Sequence, residues 1–300
     1  MTSILQPPTP ATPASAAPTP ASPRLLMVKR FMRNRLAVVG VVIVVLFILF
    51  CFVGPFIFPT DQTHTDLTAV NLAPSAQHPL GTDAIGFDQL GRLMVGGQVS
   101  LLIGLAAGVL ATVIGTVWGA VAGYAGGWVD AAMMRVVDAG IAIPALFILL
   151  VISAISTPDT LGLIVILGFV SWLVPSRLIR AETLSLKNRD YLLTLRAIGG
   201  SHSRAITRHV LPNSVSTIVV SATFQVADAI LLVAYVSYLG LGVQPPATDW
   251  GGMLSVGLTA AYSGRWWLIV PPGLAIIVVV CAFNAIGDGL RDAFEVRGRR

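Results

Sequence analysis

Few groups in this 300-residue chain could do chemistry. Four histidines, His64, His78, His202 and His209, stand in no metal-ligand spacing, and neither paired carboxylates nor a Gly-x-Ser-x-Gly turn is present. A phosphate-cradling loop needs Gly-x-x-x-x-Gly-Lys-Ser/Thr, but the two lysines, Lys29 and Lys187, follow Val28 and Leu186. Cys51 and Cys281 both lie inside apolar runs, where a thiol behaves as a small hydrophobe. These residues predict no catalytic site, no metal site and no cofactor held by this chain. One carboxylate stands apart: Asp228 lies well inside an apolar run, one helical turn after Gln225. An ionised group at the centre of a membrane costs roughly 2.5–3.5 kcal/mol and usually has a function. Three roles stay open for it: a hydrogen-bonded structural Asp, a residue on a substrate path, or a proton or ion relay.

The other informative segment is residues 176–213. Within it Tyr191, Leu192, Leu195 and Ile198 fall on one face of a short helix. Gly199-Gly200 should break that helix, Ser201 or Ser203 can cap a second one, and Pro212 limits it. Such a segment either lies on the lipid surface as an amphipathic helix or docks a cytosolic partner.

The elements that position these residues follow from composition. Charged residues are 11% of the chain, apolar residues 55%, and mean hydropathy is +0.82. An ordinary globular protein is about 25% charged, so these numbers exclude a soluble protein and predict an all-α polytopic membrane protein. Residues 1–23 are almost wholly Pro, Ala, Thr and Ser, a composition that cannot bury a core and predicts disorder. Apolar runs at about 36–53, 99–123, 140–156, 160–175, 215–243 and 266–287 predict six transmembrane helices. Pro144, Pro271 and Pro272 should kink or start helices.

With the N-terminus inside, 17 of the 19 basic residues fall on cytoplasmic segments, leaving Arg92 and Arg265 outside. The positive-inside rule then places both termini in the cytoplasm. The net charge of +5 thus reports orientation in a lipid bilayer, and no nucleic-acid partner is expected. Gly104, Gly108, Gly115, Gly119 and Gly123 give three copies of Gly-x-x-x-Gly spacing along the second run, which suits close helix packing within the subunit or between subunits.

Gly199, followed ten residues later by His209 and then Leu211-Pro212, resembles the EAA loop of permease subunits of binding-protein-dependent ABC importers. Leu193-Thr194-Leu195 stands where that family has Glu-Ala-Ala, and His209 stands where Ile is usual. His78-Pro-Leu-Gly-Thr-Asp83, Tyr238-Leu-Gly-Leu-Gly-Val-Gln-Pro-Pro246 with Trp250-Gly, and Asn284-Ala-Ile-Gly-Asp288-Gly-Leu-Arg-Asp292 are similar to the C-type permease of dipeptide, oligopeptide and nickel importers.

The resemblance implies a type I ABC importer permease fold in a bacterial inner (plasma) membrane. It divides the chain into a disordered tail (1–23), a basic segment with the first transmembrane helix and an extracytoplasmic loop (24–96), a permease core (97–288) and a cytoplasmic tail (289–300). The core would carry an ATPase-docking loop at 176–213, with Tyr191, Ala197, Gly199, His209, Leu211 and Pro212 as docking residues. It further implies a second, homologous permease as heterodimer partner, two ATPase subunits or one fused ATPase that bind ATP and Mg, and an extracytoplasmic substrate-binding protein. Short peptides are the expected substrate, with nickel chelates, glutathione or haem as alternatives within the same machinery. An ion-coupled secondary carrier using Asp228, and a structural membrane subunit, are the readings from other classes.

Overall fold

The computed structural model describes residues 23–62 and 64–295. Among them the secondary structure is helical apart from one isolated bridge between Thr82 and Asp88. The Pro/Ala-rich segment lies outside the described residues except for Pro23, which opens α1 (Pro23–Phe31). Asn34 then caps α2 (Arg35–Phe52), its side chain accepting from the Ala37 amide, and the helix runs for 18 residues without another charge.

The centre of the molecule is α3 (Gln89–Ala125), 37 residues long. At 1.5 Å per residue this is roughly 55 Å, well beyond the ~30 Å apolar thickness of a bilayer. The helix begins ten residues earlier than the apolar run at 99 suggested, because Asp88 caps it through the Gly91 amide at 2.9 Å. Buried residues run along its whole length, from Gln89 to Tyr124.

Expected spans three and four are bent. Gly126 and Gly127 separate α3 from α4 (Gly127–Ile141), and α5 (Ala145–Ser156) follows after a 74° turn at Ala142–Pro144. Pro144 stands at the N-cap of α5, where a missing amide hydrogen costs nothing. Next come α6 (Thr160–Ser171) and α7 (Leu173–Lys187), bent by 44° at Trp172. Among the described residues four helices are long and apolar enough to cross a membrane, or up to six elements if each bent pair counts as one. The expected boundary at Pro175 thus disappears inside α7, since a proline in the first turn does not stop a helix.

Beyond α7 lie α8 (Asp190–Ala197) and α9, built of the consecutive pieces His202–Ala205, Ile206–Val210 and Leu211–Asn213. The middle piece is a π-turn, a feature common where a helix is bent at a functional site. The fifth run becomes α10 (Val215–Tyr238), and a short helix α11 (Trp250–Leu258) precedes α12 (Val270–Glu295). Pro271 and Pro272 sit in the first turn of α12. That helix continues through most of the expected 289–300 tail, of which residues 296–300 lie outside the described ones.

Packing is governed by small residues. A methyl on Gly108 would lie 2.8 Å from the Val226 amide of α10, and one on Gly115 would lie 2.7 Å from the Trp172 carbonyl. Gly104 faces Ile230 of α10, Gly119 faces Ser176 and Gly123 faces Arg180 of α7. The glycine stripe of α3 is therefore the seam along which α7 and α10 pack inside this chain. On the other side α2 meets α12, where Gly40 lies against the Ala282 carbonyl and Gly289 against Ala37. Asn34 donates to Asp292 at 3.2 Å across the same pair.

Candidate functional site

The segment between α7 and α10 folds as a helix, a tight turn and a second helix. Gly199 adopts φ +75°, and the Gly200 amide donates to the Leu195 carbonyl at 2.9 Å, which closes α8 as a Schellman turn. Ser201 caps α9 by accepting from the Arg204 amide. Leu192, Ala205 and Val210 are fully buried against Tyr124 at the end of α3 and Leu186 at the end of α7, with Leu195 and Ile206 packed alongside. The Tyr124 ring meets His202 edge-on at 5.5 Å.

The expected apolar face of α8 is therefore split. Leu192 and Leu195 turn inward, whereas Tyr191 is 41% exposed and Ile198, beyond the end of the helix, is 75% exposed. Leu193 is 48% exposed on the same outer surface, so the residue at the position usually held by Glu adds to an apolar outer face. Periodicity missed this division because a helix of eight residues is too short to fix which side meets the core. Tyr191 and His209 come together, their rings 6.0 Å apart. Ala197 ends α8 beside Gly199, and Leu211-Pro212 forms the foot of α9 next to α10. A side chain on Gly199 would meet nothing within 4 Å. Tyr124 carried no local signal, since it lies far away in the chain.

The second feature is a cavity of about 370 Å³ formed where both bent pairs turn. Its walls come from Ile141 and Pro144 at the α4–α5 corner, Ser171 and Val174 at the α6–α7 corner, and Gln225 and Asp228 on α10. Gln225 is buried and donates to the Ser171 carbonyl at 2.6 Å. Asp228 is exposed into this space, and no salt bridge among the described residues reaches it. The two residues one turn apart thus do different things: Gln225 ties α10 to α6, while Asp228 offers a carboxylate in a mostly apolar hollow.

At the opposite end of α3 from the loop, the His78–Asp83 stretch acts as a clasp. His78 Nδ1 lies 2.9 Å from Asp88, the cap of α3. The Thr82 hydroxyl donates to the Ala69 carbonyl and accepts from the Leu72 amide, and Asp83 accepts from the Ile85 and Phe87 amides. Arg92 stacks on Phe87 at 3.9 Å and donates to the Pro246 carbonyl. Nearby, fully buried Trp250 donates through its indole to the Leu93 carbonyl, and its own amide donates to Ser100. Asp249 caps α11 by accepting from the Gly251 and Gly252 amides, and burial pushes its carboxyl up to about 6.

Known proteins resemble the chain over most of its length. Residues 115–300 match the model of the binding-protein-dependent transport system inner membrane component, and residues 22–74 match the N-terminal transmembrane domain of oligopeptide transport permease C. A permease protein of Brucella suis biovar 1 is 41% identical over 281 residues, 93% of each chain. The oligopeptide transport system permease protein OppC of Escherichia coli K12 is 40% identical over 273 residues, 90% of each chain. The dipeptide transport system permease protein DppC of Bacillus subtilis is 36% identical over 272 residues, covering 91% of this chain and 85% of its own. The first match spans more than half of the chain, and the relatives align nearly end to end. The chain belongs to the family of inner membrane components of binding-protein-dependent transport systems.

Proposed function

We propose that this chain is one permease subunit of an ATP-driven importer of short peptides, with ATP hydrolysis on separate or fused ATPase partners. The observation that supports it best is the loop between α7 and α10. Its inner side is fixed to α3 and α7 by a buried cluster, while its outer side presents Tyr191, Leu193 and Ile198 to solvent. Exposed apolar groups on a firmly held scaffold suit a protein partner. Tyr191, Ala197, Gly199, His209, Leu211 and Pro212 are assigned to that ATPase interface. The peptide substrate rests on the similarity to OppC and DppC, named as oligopeptide and dipeptide permeases.

In this reading the six spans cross with both termini inside, a homologous permease completes the path, and a binding protein delivers substrate at the end carrying the His78–Asp83 clasp. ATP-driven closure of the ATPases displaces the loop, and the bundle rocks to expose the cavity outward. Gln225 and Asp228 are assigned to the translocation path.

The test is Gly199→Leu in the complete complex reconstituted into vesicles. Leucine at φ +75° strains the turn and projects into space open for the partner. Peptide uptake is expected to fall about ten-fold with membrane insertion unchanged. Ile198→Glu, at an exposed site that cannot unfold the loop by burial, should do the same. Normal uptake in both variants sinks the docking assignment.

A further inference from the structure

The two ion pairs between α4 and α7 have no part in the reading above, and their placement gives them one. Arg180 grips Asp130 with two bonds, Nε to Oδ1 at 2.5 Å and Nη2 to Oδ2 at 2.6 Å. Arg177 reaches Asp138 at 2.5 Å. Because α4 and α7 run antiparallel, the pairs form two rungs between them. The rungs differ in kind: Asp130 is buried, whereas Asp138 and Arg177 are about half exposed. An exposed single contact contributes little, while a bidentate one whose carboxylate is buried and whose guanidinium is partly exposed fixes geometry better.

The connection of α4 to the rest of the chain makes this matter. Its N-terminal link to α3 is Gly126-Gly127, at φ +71° and +57°, and a Cβ at Gly127 would meet nothing within 4 Å. A Cβ at Gly126 would meet Lys187 Nζ at 2.7 Å, and Lys187 donates to the Ala125 carbonyl at 3.4 Å, so α7 also touches this pivot, which has no side chain of its own to set its angle. The Trp118 indole donates to the Met133 carbonyl, and Met134 and Val137 pack beside Trp172, so beside the rungs α4 also rests on α3 and on the α6–α7 corner through a mainly apolar contact. Helix α7 has the opposite character: α3 holds its backbone closely at Gly119 and Gly123, and its C-terminal end runs through Asn188 and Arg189 into α8. The ends of α4 and α7 that lie away from the loop, at Ile141 and Val174, both line the Asp228 cavity.

We propose that Asp130–Arg180, assisted by Asp138–Arg177, is a clamp that makes α4 turn with α7, so that displacement of the loop reshapes the cavity wall opposite Asp228. These are positioning residues, acting through helices rather than on substrate. The proposal rests on the docking reading of the loop.

The experiment uses the complete reconstituted complex and compares wild type with Asp130→Asn, Arg180→Gln and the swap Asp130→Arg with Arg180→Asp. Peptide uptake and ATP hydrolysis are measured together, with spin labels at exposed Val136 on α4 and Val215 on α10 reporting the ATP-dependent distance change. The single variants should keep the ATPases bound and hydrolysing, lose about ten-fold in uptake per ATP and lose most of the distance change. The swap should recover a substantial part of both. Unchanged uptake per ATP in the single variants overturns the clamp. So does loss of uptake and hydrolysis in parallel without recovery in the swap, which marks the pair as structural only. Failure of the docking reading is separate, because it would appear as normal uptake in Gly199→Leu and Ile198→Glu, which leave the clamp untouched.

Discussion

Two carboxylates, Asp228 in an apolar run and Asp249 in a turn before Trp250, behave differently once their neighbours are placed. Asp228 opens into a cavity with Gln225 turned away from it to hold Ser171, so its carboxylate is free to meet a passing polar group. Asp228→Asn is expected to lower uptake several-fold in reconstituted vesicles while the need for ATPase subunits stays complete. Uptake that persists with no ATPase present would instead favour an ion-coupled carrier. Asp249 is buried, and its two amide partners only partly offset the loss of water, so its carboxyl rises from 3.8 to about 6. A folded-state value above the unfolded one means the native protein holds the proton more tightly. This group therefore adds stability as pH falls from 6 toward 4 and loses it as pH rises through the same window, on the order of 3 kcal/mol in all. Asparagine is an equally good cap. Thermal unfolding of purified Asp249→Asn should match wild type at low pH and exceed it at pH 7, and parallel curves across that range would contradict the assignment.

At the scale of elements, glycines decide which helices touch. The four-residue spacing in α3 was visible without coordinates, but not its partners, because a stripe of small residues specifies close approach and leaves the neighbour unnamed. Gly104 and Gly108 face α10, while Gly115, Gly119 and Gly123 face α7. Gly108→Leu forces a side chain against the Val226 backbone, which cannot rotate away, and Gly119→Leu does the same at Ser176. Each is expected to destabilise the bundle by at least the 1–3 kcal/mol typical of overpacking, read as reduced yield of folded protein and a lower unfolding temperature in detergent. Leu at Gly127, beside open space but at φ +57°, should cost much less folded protein. The loop was legible in the same partial way. Gly199 and Ser201 marked the turn and the cap correctly, since turn chemistry is local, whereas Pro212 lies inside the last piece of α9 rather than ending it, and the burial of Leu192 and exposure of Ile198 depend on Tyr124 and Leu186 from other helices. Pro144 marked the bend at Ala142–Pro144, because a proline starts or kinks a helix, whereas the bend at Trp172 was missed: an apolar run looks the same whether its helix is straight or broken.

For the whole molecule, the arrangement of charge along α3 argues for one orientation in the membrane. The His78–Asp88 clasp and Arg92 gather at its N-terminal end, and the loop with seven basic residues between Arg177 and Arg208 gathers beyond its C-terminal end. A bilayer cannot hide either group, so the two ends are expected on opposite sides, and the excess of Arg and Lys at the loop end predicts that end in the cytoplasm. This can be checked in cells with a membrane-impermeant maleimide, after Cys51→Ser and Cys281→Ser remove the native thiols. A cysteine at exposed Ser75 in the clasp loop should label in intact cells. A cysteine at exposed Ser203 should label only after the membrane is permeabilised. A third, at exposed Trp128 beside the Gly126-Gly127 pivot, should behave like Ser203 if α3 crosses the membrane once and the bent pair α4–α5 returns across it. Labelling of Ser203 from outside would invert the protein and remove the cytoplasmic ATPase interface. Labelling of Trp128 from outside, with Ser203 protected, would leave the interface in place but break the six-span count at α3.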